Sequence, residues 1–442
     1  MKITTVPRGG RPPHPRGWSI AAAALPLALA LGACGSGSDD KGSNAPATNE
    51  GRGPITFATG KDLTGTIQKL VGKWNTAHPN EKVRIIELPE DGDQTRQQLV
   101  QNAQIKSNAY DVVRLDAVWT AEFAARRWVL PLDESKLDPS TFVPAALETG
   151  KYRGKLYAAP WLTGTGILYY RTDLLEAAGI KEAPKTWAEL TDACAKIKKT
   201  SEGKGVDCYA GQYDKYEGLT VNYSEAVQSA GGQVFDASGK PQVTSAQAKA
   251  GLQFLVDGFK NGTIPSKGVT LKEEESRRAF QDGKLVFHRN WAYVYALASA
   301  KDGSSKVNGE FDVAPLPGKD GPGSGTLGGN NLSVSAFSKH QATARDFITY
   351  IVSLEIQREY GKEQSFPLSR SALYADPEMV KLYPYLPVLK KGLDTARSRP
   401  VAVKYSEVSA AVQDNVTAAV TGKKSVDQAS ADLQTALAGL AD

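Results

Sequence analysis

The chain has 442 residues, with 53 lysines and arginines against 48 aspartates and glutamates, which gives a formal net charge of +5. Such a length exceeds one ordinary domain and suits two or three. Hydrophobic residues make up 41% and charged residues 23%, close to the average for a globular protein. This composition argues against a disordered chain, a collagen and a membrane protein with many spans.

The excess of basic residues lies at the N-terminus. Residues 1–33 contain four basic residues and no acidic one, so the rest of the chain carries only +1 of the +5. The apolar run from Trp18 to Ala30 is too short to span a bilayer comfortably and has the length of the core of a secretory signal. No basic run with interleaved aromatic residues follows, so we expect no nucleic-acid partner.

A single cysteine follows the apolar run, in the segment Leu31–Cys34 (Leu-Gly-Ala-Cys). These residues resemble a bacterial lipobox, after which the cysteine is lipidated and becomes the new N-terminus. We therefore predict a lipoprotein signal peptide over 1–33, and the lipidated Cys34 with a flexible tether over 34–53, which lacks large apolar residues. Its random-coil reach is about 25 Å. The alternative is an uncleaved signal anchor with an incidental cysteine.

The other two cysteines, Cys194 and Cys208, lie 14 residues apart. Export places them in an oxidising compartment, where a disulfide is the expected state. A disulfide that closes a loop of this size contributes about 3 kcal/mol to stability in the chain-entropy model. The alternative is a metal-binding or nucleophilic pair. No Cys-x-x-Cys motif is present and no histidine lies nearby in sequence, so we predict the disulfide and no metal site.

Strand and helix patterns alternate along the rest of the chain. Pro54–Thr59 predicts a first strand, and apolar residues at helical spacing follow at Ile67, Leu70, Val71 and Trp74. The later predicted elements are strand Val83–Leu88, helix Thr95–Lys106, strand Tyr110–Leu115, a helix containing Leu252–Phe259, strand Lys284–His288, and helices Ala342–Ile356 and Ser406–Leu440. This alternation predicts an α/β protein with largely parallel sheets.

The usual catalytic motifs are missing from the sequence. It contains no P-loop, no His-Glu-x-x-His, no Gly-x-Ser-x-Gly and no Gly-x-Gly-x-x-Gly after a strand. Only three histidines follow the signal segment, which disfavours histidine-dependent chemistry. We therefore expect neither a cofactor nor an enzymatic activity. One enzymatic alternative stays open, a surface glycoside hydrolase, because that chemistry needs only two suitably placed carboxylates.

Several segments place an aromatic residue beside polar or small residues. They are Asp116–Trp119, Pro160–Gly166, His288–Tyr293 and Gly328–Asn331. Sugar recognition uses this mixture, because aromatic faces stack on the C–H faces of pyranose rings while carboxylates, amides and arginines bind the hydroxyls. Trp119 and Trp291 each follow a predicted strand, where ligands bind in open α/β sheets. For each tryptophan the alternative is packing in the core.

Longer segments carry a family resemblance. They are Tyr110–Asp116, Trp128–Asp133, Lys155–Trp161, Leu168–Gly179, Pro184–Leu190, Phe280–Phe287 and Arg399–Val401. In this order they resemble the extracellular solute-binding proteins (family 1) of carbohydrate ABC importers. Segments Asp207–Gln212, Gly218–Asn222 and His288–Trp291 make the trehalose/maltose-binding lipoproteins the most similar group within that family.

The resemblance implies an α/β, two-lobe periplasmic-binding-protein-like fold with a hinge and an interlobe ligand cleft. Lobe 1 would comprise residues 54–163 plus 326–352, and lobe 2 residues 164–325 plus 353–442. The protein would be a lipid-anchored monomer at the extracellular face of the cell membrane. It would bind a di- or oligosaccharide and deliver it to the permease subunits of an ABC importer. A two-lobe receptor for a non-sugar solute is the alternative from the same fold.

The resemblance also assigns ligand-binding residues. Asp116 would accept hydrogen bonds from sugar hydroxyls, Trp291 would stack on a ring, Gly328 and Gly329 would offer backbone groups, and Arg399 would donate a hydrogen-bonding fork. The further candidates are Lys61, Asp62, Trp161, Glu225 and Asn330.

Each main assignment has an alternative, and two positions depart from the family pattern. Asp116 could cap a helix, Gly328 and Gly329 could form only a turn, and Arg399 could belong to an ion pair of the surface or hinge. Gly164 stands where the trehalose/maltose-binding relatives carry a ligand-binding Asp, and Asn330 where some relatives have a second stacking Trp. The departures leave the identity of the sugar open.

Overall fold

The computed structural model describes residues 51–440, apart from 63–64, 237, 364, 366–367 and 401. The predicted signal peptide, Cys34 and the tether up to residue 50 lie outside the described residues, so their assignments stay predictions. Within the described part of the chain, no helix combines the length and the apolar character needed to cross a bilayer.

The described residues form alternating strands and helices. The strands are Ile55–Thr59 (β1), Val83–Glu87 (β2), Val112–Asp116 (β3), Lys151–Tyr152 (β4), Lys155–Leu156 (β5), Ala159–Thr165 (β6), Ile167–Arg171 (β7), Asp207–Ala210 (β8), Leu285–Asn290 (β9), Phe311–Ala314 (β10), Thr326–Val334 (β11) and Arg397–Ser398 (β12). The α-helices are Thr66–Ala77 (α1), Gly92–Gln104 (α2), Thr120–Ala125 (α3), Pro144–Thr149 (α4), Thr172–Ala177 (α5), Trp187–Ile197 (α6), Glu217–Ser229 (α7), Ala246–Asn261 (α8), Glu273–Gln281 (α9), Val294–Ala298 (α10), Gln341–Ile351 (α11), Leu354–Glu363 (α12), Pro377–Leu382 (α13), Leu386–Thr395 (α14), Tyr405–Val420 (α15) and Val426–Ala438 (α16).

The first sheet has the strand order β12-β11-β3-β1-β2, with β6 paired to the other edge of β11. Strand β1 is parallel to β2 and β3, whereas β11 is antiparallel to β3 and β6. The apolar face of α1 packs on this sheet, and Ile67, Leu70, Val71 and Trp74 are all buried. The helical spacing predicted for these four residues is thereby confirmed.

The second sheet has the strand order β10-β7-β9-β8. Strand β8 is parallel to β9, but β7 is antiparallel to both β9 and β10. The α/β class is confirmed, while the expectation of largely parallel sheets is wrong. The physical reason is that the chain passes between the two sheets through β6–β7 and through β11. These strands are antiparallel to most of their neighbours.

The chain passes between the sheets at identifiable residues. Strand β6 ends at Thr165 in the first sheet and β7 begins at Ile167 in the second, so Gly166 is the first crossing. The return lies between β10 and the start of β11 at Thr326. We call the part built on the first sheet lobe 1 and the part built on the second sheet lobe 2.

The residues that follow Ser353 contact both lobes. Helix α12 forms ion pairs with α1 of lobe 1, Lys73–Glu359 at 2.5 Å and Lys69–Glu363 at 2.7 Å. Strand β12 pairs with β11 of lobe 1, but the ring of Tyr385 lies 4.7 Å from the ring of Tyr295 in lobe 2, and the Ser365 hydroxyl donates to the carbonyl of Ala292 in lobe 2 at 3.1 Å. The predicted crossing near Ser353 and the other predicted lobe boundaries therefore stay proposals.

Two predicted helices are each divided in the structure. The predicted helix 342–356 is interrupted at Val352 and Ser353, where the Ser353 hydroxyl accepts from the backbone N–H of Ile356 and starts α12. The predicted helix 406–440 is interrupted by Gly422, which has φ +73°, and Ser425 caps α16. Apolar periodicity continues across both interruptions because each pair of helices packs on the same core.

Cys194 of α6 and Cys208 of β8 are paired in lobe 2, with their Cα atoms 5.6 Å apart. This separation is within the range of natural disulfides. Both residues are buried in the core that α6 and β8 share with α7 and α8. The pair therefore ties a surface helix to the second sheet.

Replacing both cysteines by alanine should lower the free energy of unfolding by about 3 kcal/mol, because the unfolded chain loses a closed loop of about 15 residues. Urea denaturation of the oxidised protein and of the double variant measures this difference. Two free thiols in the native protein, or an unchanged unfolding midpoint in the variant, would contradict the disulfide.

Candidate functional site

Arg399 joins the two lobes at the end of β12. Its side chain is 2% exposed, and its guanidinium Nη2 lies 2.5 Å from Asp116 Oδ1 while Nη1 lies 2.5 Å from Glu217 Oε1. Asp116 ends β3 of lobe 1, and Glu217 begins α7 of lobe 2. The ion-pair alternative for Arg399 is thus observed, and the pair spans the junction between the lobes. Its predicted contact with a sugar stays a prediction.

Glu217 is the partner of Arg399 that the sequence analysis missed. Its carboxylate also accepts hydrogen bonds from Tyr405 Oη and Ser409 Oγ, each at 2.5 Å. Burial raises the pKa of the Glu217 carboxyl group above its ordinary value, although the Arg399 guanidinium acts in the opposite direction. Glu217 and Arg399 are 182 residues apart in sequence, so no local pattern could have paired them.

Trp291 lies where lobe 2 meets β11. The Arg289 guanidinium carbon is 4.2 Å from the centre of the Trp291 ring. A Cβ atom on Gly328 would come within 2.7 Å of the ring atoms Cη2 and Cζ3, so glycine is needed there for the ring to fit. The structure therefore brings the predicted residues Trp291 and Gly328 together, and Trp291 keeps part of its surface exposed.

The segment from Gly328 to Asn330 belongs to strand β11, so the alternative of a simple turn is wrong. The backbone carbonyl of Gly329 accepts from the N–H of Ala117 at 3.1 Å, and Asn330 pairs with Asp116 across the sheet. Gly329 has φ +138°, which few other residues adopt. Asp116 Oδ1 accepts from the backbone N–H of Val118 at 3.1 Å, but the next helix, α3, begins at Thr120 with Trp119 as its N-cap residue, so the alternative that Asp116 caps a helix is wrong.

Three other candidates lie in the interior. Trp161 is 1% exposed and packs edge-on against Phe57, so it belongs to the core of lobe 1. Trp119 is buried in the core on the opposite face of the same sheet. Glu225 is buried in an ion pair with Arg289. Direct contact of these three side chains with a sugar is not supported, because their neighbours in the protein already surround them.

The C-terminal edge of the first sheet carries buried polar atoms that lack a hydrogen-bond partner among the described residues. They are Thr59 Oγ1, Asp62 Oδ1 and Arg399 Nε. The other Asp62 oxygen accepts from the N–H of Gln68 at 2.9 Å. Buried polar groups are nearly always paired in proteins, so orphaned ones indicate a ligand or a water molecule. Lys61 is exposed and pairs with Glu90 at 3.3 Å.

Arg114 lies at the same edge of the first sheet and was not among the predicted site residues. A Cβ atom on Gly60 would lie 2.6 Å from Arg114 Nη2, so the guanidinium fills the space that the glycine leaves. Burial lowers the pKa of Arg114. Arg114 precedes Asp116 by two residues in β3, and alternation along a strand places both side chains on one face.

Further residues connect the lobes beside Arg399. Lys272 Nζ lies 2.6 Å from Asp91 Oδ2, the residue that caps α2, and 4.9 Å from the centre of the Tyr216 ring. Tyr216 Oη donates to Glu273 Oε2 at 2.5 Å. Burial raises the pKa of Glu273. None of these four residues carries a recognisable motif; Lys272, Tyr216 and Glu273 belong to lobe 2, and the ion pair of Lys272 with Asp91 connects them to lobe 1.

A cavity of about 550 Å³ adjoins Arg399. Tyr152 and Arg153 of the β4–β5 hairpin, Gln228 of α7, the loop around Phe235 and the segment after β12 line it. Of the predicted ligand-binding residues, it includes only Arg399. This cavity is therefore a recess next to the candidate site and does not coincide with it.

Residues 60–358 match the family described as bacterial extracellular solute-binding protein. The chain belongs to this family. A probable ABC transporter-binding protein of Deinococcus radiodurans is 34% identical over 364 residues, which cover 80% of this chain and 86% of the relative.

Solved structures agree with this assignment. The maltose-bound MalE3 protein of T. maritima is 32% identical, with a TM-score of 0.82, over 88% of this chain and 99% of that chain. The GacH receptor of Streptomyces glaucescens GLA.O, solved unliganded and with acarbose, is 25% identical, with a TM-score of 0.78, over 88% and 98%. The two-lobe periplasmic-binding-protein-like fold is thus confirmed.

The comparisons also fix the general role. The protein is an extracellular solute-binding protein of the type that serves ABC transporters, and the relatives above are binding proteins rather than enzymes. Among the described residues, no group of three or more histidine, cysteine, aspartate or glutamate side chains is arranged to hold a metal ion.

His288 lies in strand β9, two residues before Asn290 and next to the candidate site. It is fully buried and stacks on Phe280 with ring centres 5.5 Å apart, and its Nε2 is 2.9 Å from the side-chain nitrogen of Asn290. Burial, assisted by the Arg289 charge, lowers the pKa of His288 from 6.5 to about 3. Below pH 6.5 the unfolded chain therefore binds a proton that the folded protein does not.

Folding stability should accordingly fall as the pH decreases from 6.5 towards 3. His288 alone should account for a loss of about 2 kcal/mol between pH 7 and pH 5, and His288→Gln should remove this part of the pH dependence. Urea denaturation at both pH values measures it, with His340→Gln, a partly exposed histidine, as the control. Equal pH slopes for the wild type and His288→Gln would show that His288 titrates normally in the folded protein.

Proposed function

We propose that the protein is a lipid-anchored, monomeric sugar-binding protein that delivers a di- or oligosaccharide to the permease subunits of an ABC importer. The observation that carries this proposal is the Trp291 ring, held against Gly328 beside the Asp116–Arg399–Glu217 group. An aromatic face and a planar guanidinium between two carboxylates are the groups that bind the apolar and polar surfaces of a pyranose.

The polar groups around Trp291 suit hydroxyl ligands. A hydroxyl both donates and accepts hydrogen bonds, so it can satisfy the orphaned oxygens of Thr59 and Asp62 and the orphaned Nε of Arg399. Asp116 keeps 23% of its side chain exposed while it pairs with Arg399. The ion pair with Arg399 thus orients the Asp116 carboxylate, which is still able to contact a ligand.

The balance of charge favours a neutral ligand. Arg399 faces two carboxylates, Lys272 faces Asp91, and Arg289 faces Glu225. A receptor for a phosphate ester would need uncompensated cations at the site, since the charge of an anion must be matched when it is buried. The pairing of these three cations supports a polyol instead.

Trehalose- or maltose-like ligands are supported by the resemblance and by the similar protein solved with maltose. Gly164 and Gly328 are paired directly across β6 and β11. The Trp291 ring fills the space over Gly328, and its partner Gly164 carries no side chain. We propose that the lack of a carboxylate at Gly164, where relatives carry an Asp, lets the protein accept a longer or differently linked saccharide.

Trp291→Ala should weaken saccharide binding by about 1–3 kcal/mol, because the sugar loses its aromatic stacking partner. Isothermal titration calorimetry with maltose, trehalose, sucrose and longer α-glucosides measures the loss. The expected wild-type affinity is about micromolar, since a transport protein must also release its ligand.

Trp128→Ala is the matched control, because Trp128 is a partly exposed tryptophan of lobe 1 that packs on Phe123 outside the site. It should leave saccharide affinity unchanged. Trp291→Ala with a large drop in melting temperature and unchanged affinity would place Trp291 in a structural role only. Absence of binding to every saccharide at millimolar concentration would refute the proposed function.

Cys34→Ser should release the protein from the membrane, because a serine hydroxyl cannot take the thioether-linked lipid of the mature cysteine. In cells fed an alkyne-labelled fatty acid, the wild-type protein should be labelled and sediment with membranes. Cys194→Ser is the control for a general effect of losing a cysteine and should remain labelled. Equal labelling of wild type and Cys34→Ser would exclude lipidation at Cys34.

A further inference from the structure

We infer that the buried pair Arg289–Glu225 is a positioning device, which sets the orientation of the Trp291 ring and connects it to the segments that cross between the lobes. The family resemblance implies Glu225 as a ligand contact and assigns no role to Arg289. The expected effect on sugar affinity rests on the proposed function, whereas the effect on the ring does not.

The Arg289 guanidinium and the Glu225 carboxylate both have hydrogen-bond partners inside lobe 2. Arg289 Nε and Nη2 each lie 2.6 Å from one oxygen of the Glu225 carboxylate, and Arg289 Nη1 donates to Gln212 Oε1 at 2.6 Å. The Arg289 side chain is 1% exposed. Three nitrogens of the guanidinium are thus engaged in its own plane, which fixes the direction of that plane.

The fixed guanidinium supports the Trp291 ring from one side. Its carbon lies 4.2 Å from the ring centre, a distance typical of a cation–π contact. The ring edge touches Gly328. One face and one edge of the ring are therefore held by the protein, and we assign the opposite face to stacking on a sugar.

The carboxylate of the pair contacts both early crossings between the lobes. Glu225 Oε1 accepts from the backbone N–H of Thr326, the first residue of β11, at 3.1 Å. A Cβ atom on Gly166, the first crossing, would collide with Glu225 Oε1 and come within 2.7 Å of Arg289 Nε. The pair thus occupies the space beside Gly166, and a movement of either crossing segment would be transmitted to the Trp291 ring.

Arg289→Lys tests the inference, because lysine keeps the charge but lacks the planar fork and the flat face. The fluorescence of Trp291 is obtained by subtracting the spectrum of the same protein with Trp291→Phe, in both the wild-type and the Arg289→Lys background. We expect Arg289→Lys to shift the emission maximum of Trp291, to increase its quenching by acrylamide and to weaken saccharide binding at least tenfold.

Arg370→Lys is the matched control. Arg370 is also buried and lies over an aromatic ring, Phe142, but it bonds to backbone carbonyls of lobe 1 away from Trp291. This control should reproduce any general loss of stability and leave the Trp291 emission and the saccharide affinity unchanged. If Arg289→Lys does not fold, Glu225→Asp, which keeps both charges but shortens the carboxylate, is measured in the same way.

Unchanged emission and quenching of Trp291 in the folded variant would overturn the inference, whether or not a saccharide binds. Changed emission supports the positioning role even if the wild type binds no saccharide, and that second result would refute only the proposed function. Changed emission with unchanged saccharide affinity would overturn the claim that the orientation of the ring matters for binding.

Discussion

The Arg399 guanidinium, buried between a carboxylate of lobe 1 and a carboxylate of lobe 2, is the interaction on which the junction depends. Removing such charges from water costs several kcal/mol per ion, so the pair is retained only where geometry and further hydrogen bonds compensate. Tyr405 and Ser409 supply those bonds to Glu217. The consequence is a specific arrangement of the lobes, because one approach pairs Arg399 with both carboxylates and other approaches leave a buried charge unpaired.

Helix α7 carries the groups that meet this junction. Glu217 at its first residue binds Arg399, Glu225 binds Arg289 and the N–H of Thr326, and Gln228 accepts from the Thr326 hydroxyl at 3.1 Å. Helical periodicity places residues 217, 225 and 228 on one side of α7, facing the crossing strands. The same helix therefore connects the ion pair at Asp116, the support of Trp291 and the start of β11, so ligand contact and lobe geometry share one rigid element.

Apolar periodicity and family motifs allow part of the fold to be predicted from the sequence. The strands β1, β2 and β3 and the buried face of α1 follow from local patterns, whereas the two-lobe class and the predicted crossing near Gly164 follow from the family resemblance. Pairings across long sequence distances could not be predicted, because nothing near Arg399 indicates Glu217 and nothing near Trp291 indicates Arg289 as its support. The same limit explains why Trp119 and Trp161 were selected: a tryptophan after a strand and one inside a strand look alike in sequence, and only packing shows that both belong to the core of lobe 1.

Native mass spectrometry of the purified protein, with identification of the small molecule it retains, tests the central claim most directly. The account predicts that the wild type carries a di- or oligosaccharide, taken up from the host or from added maltose and trehalose, and that Trp291→Ala loses it. A retained molecule that is not a saccharide, or a protein that stays empty in millimolar saccharide, would contradict the assignment of the site at Trp291, Asp116 and Arg399 to sugar.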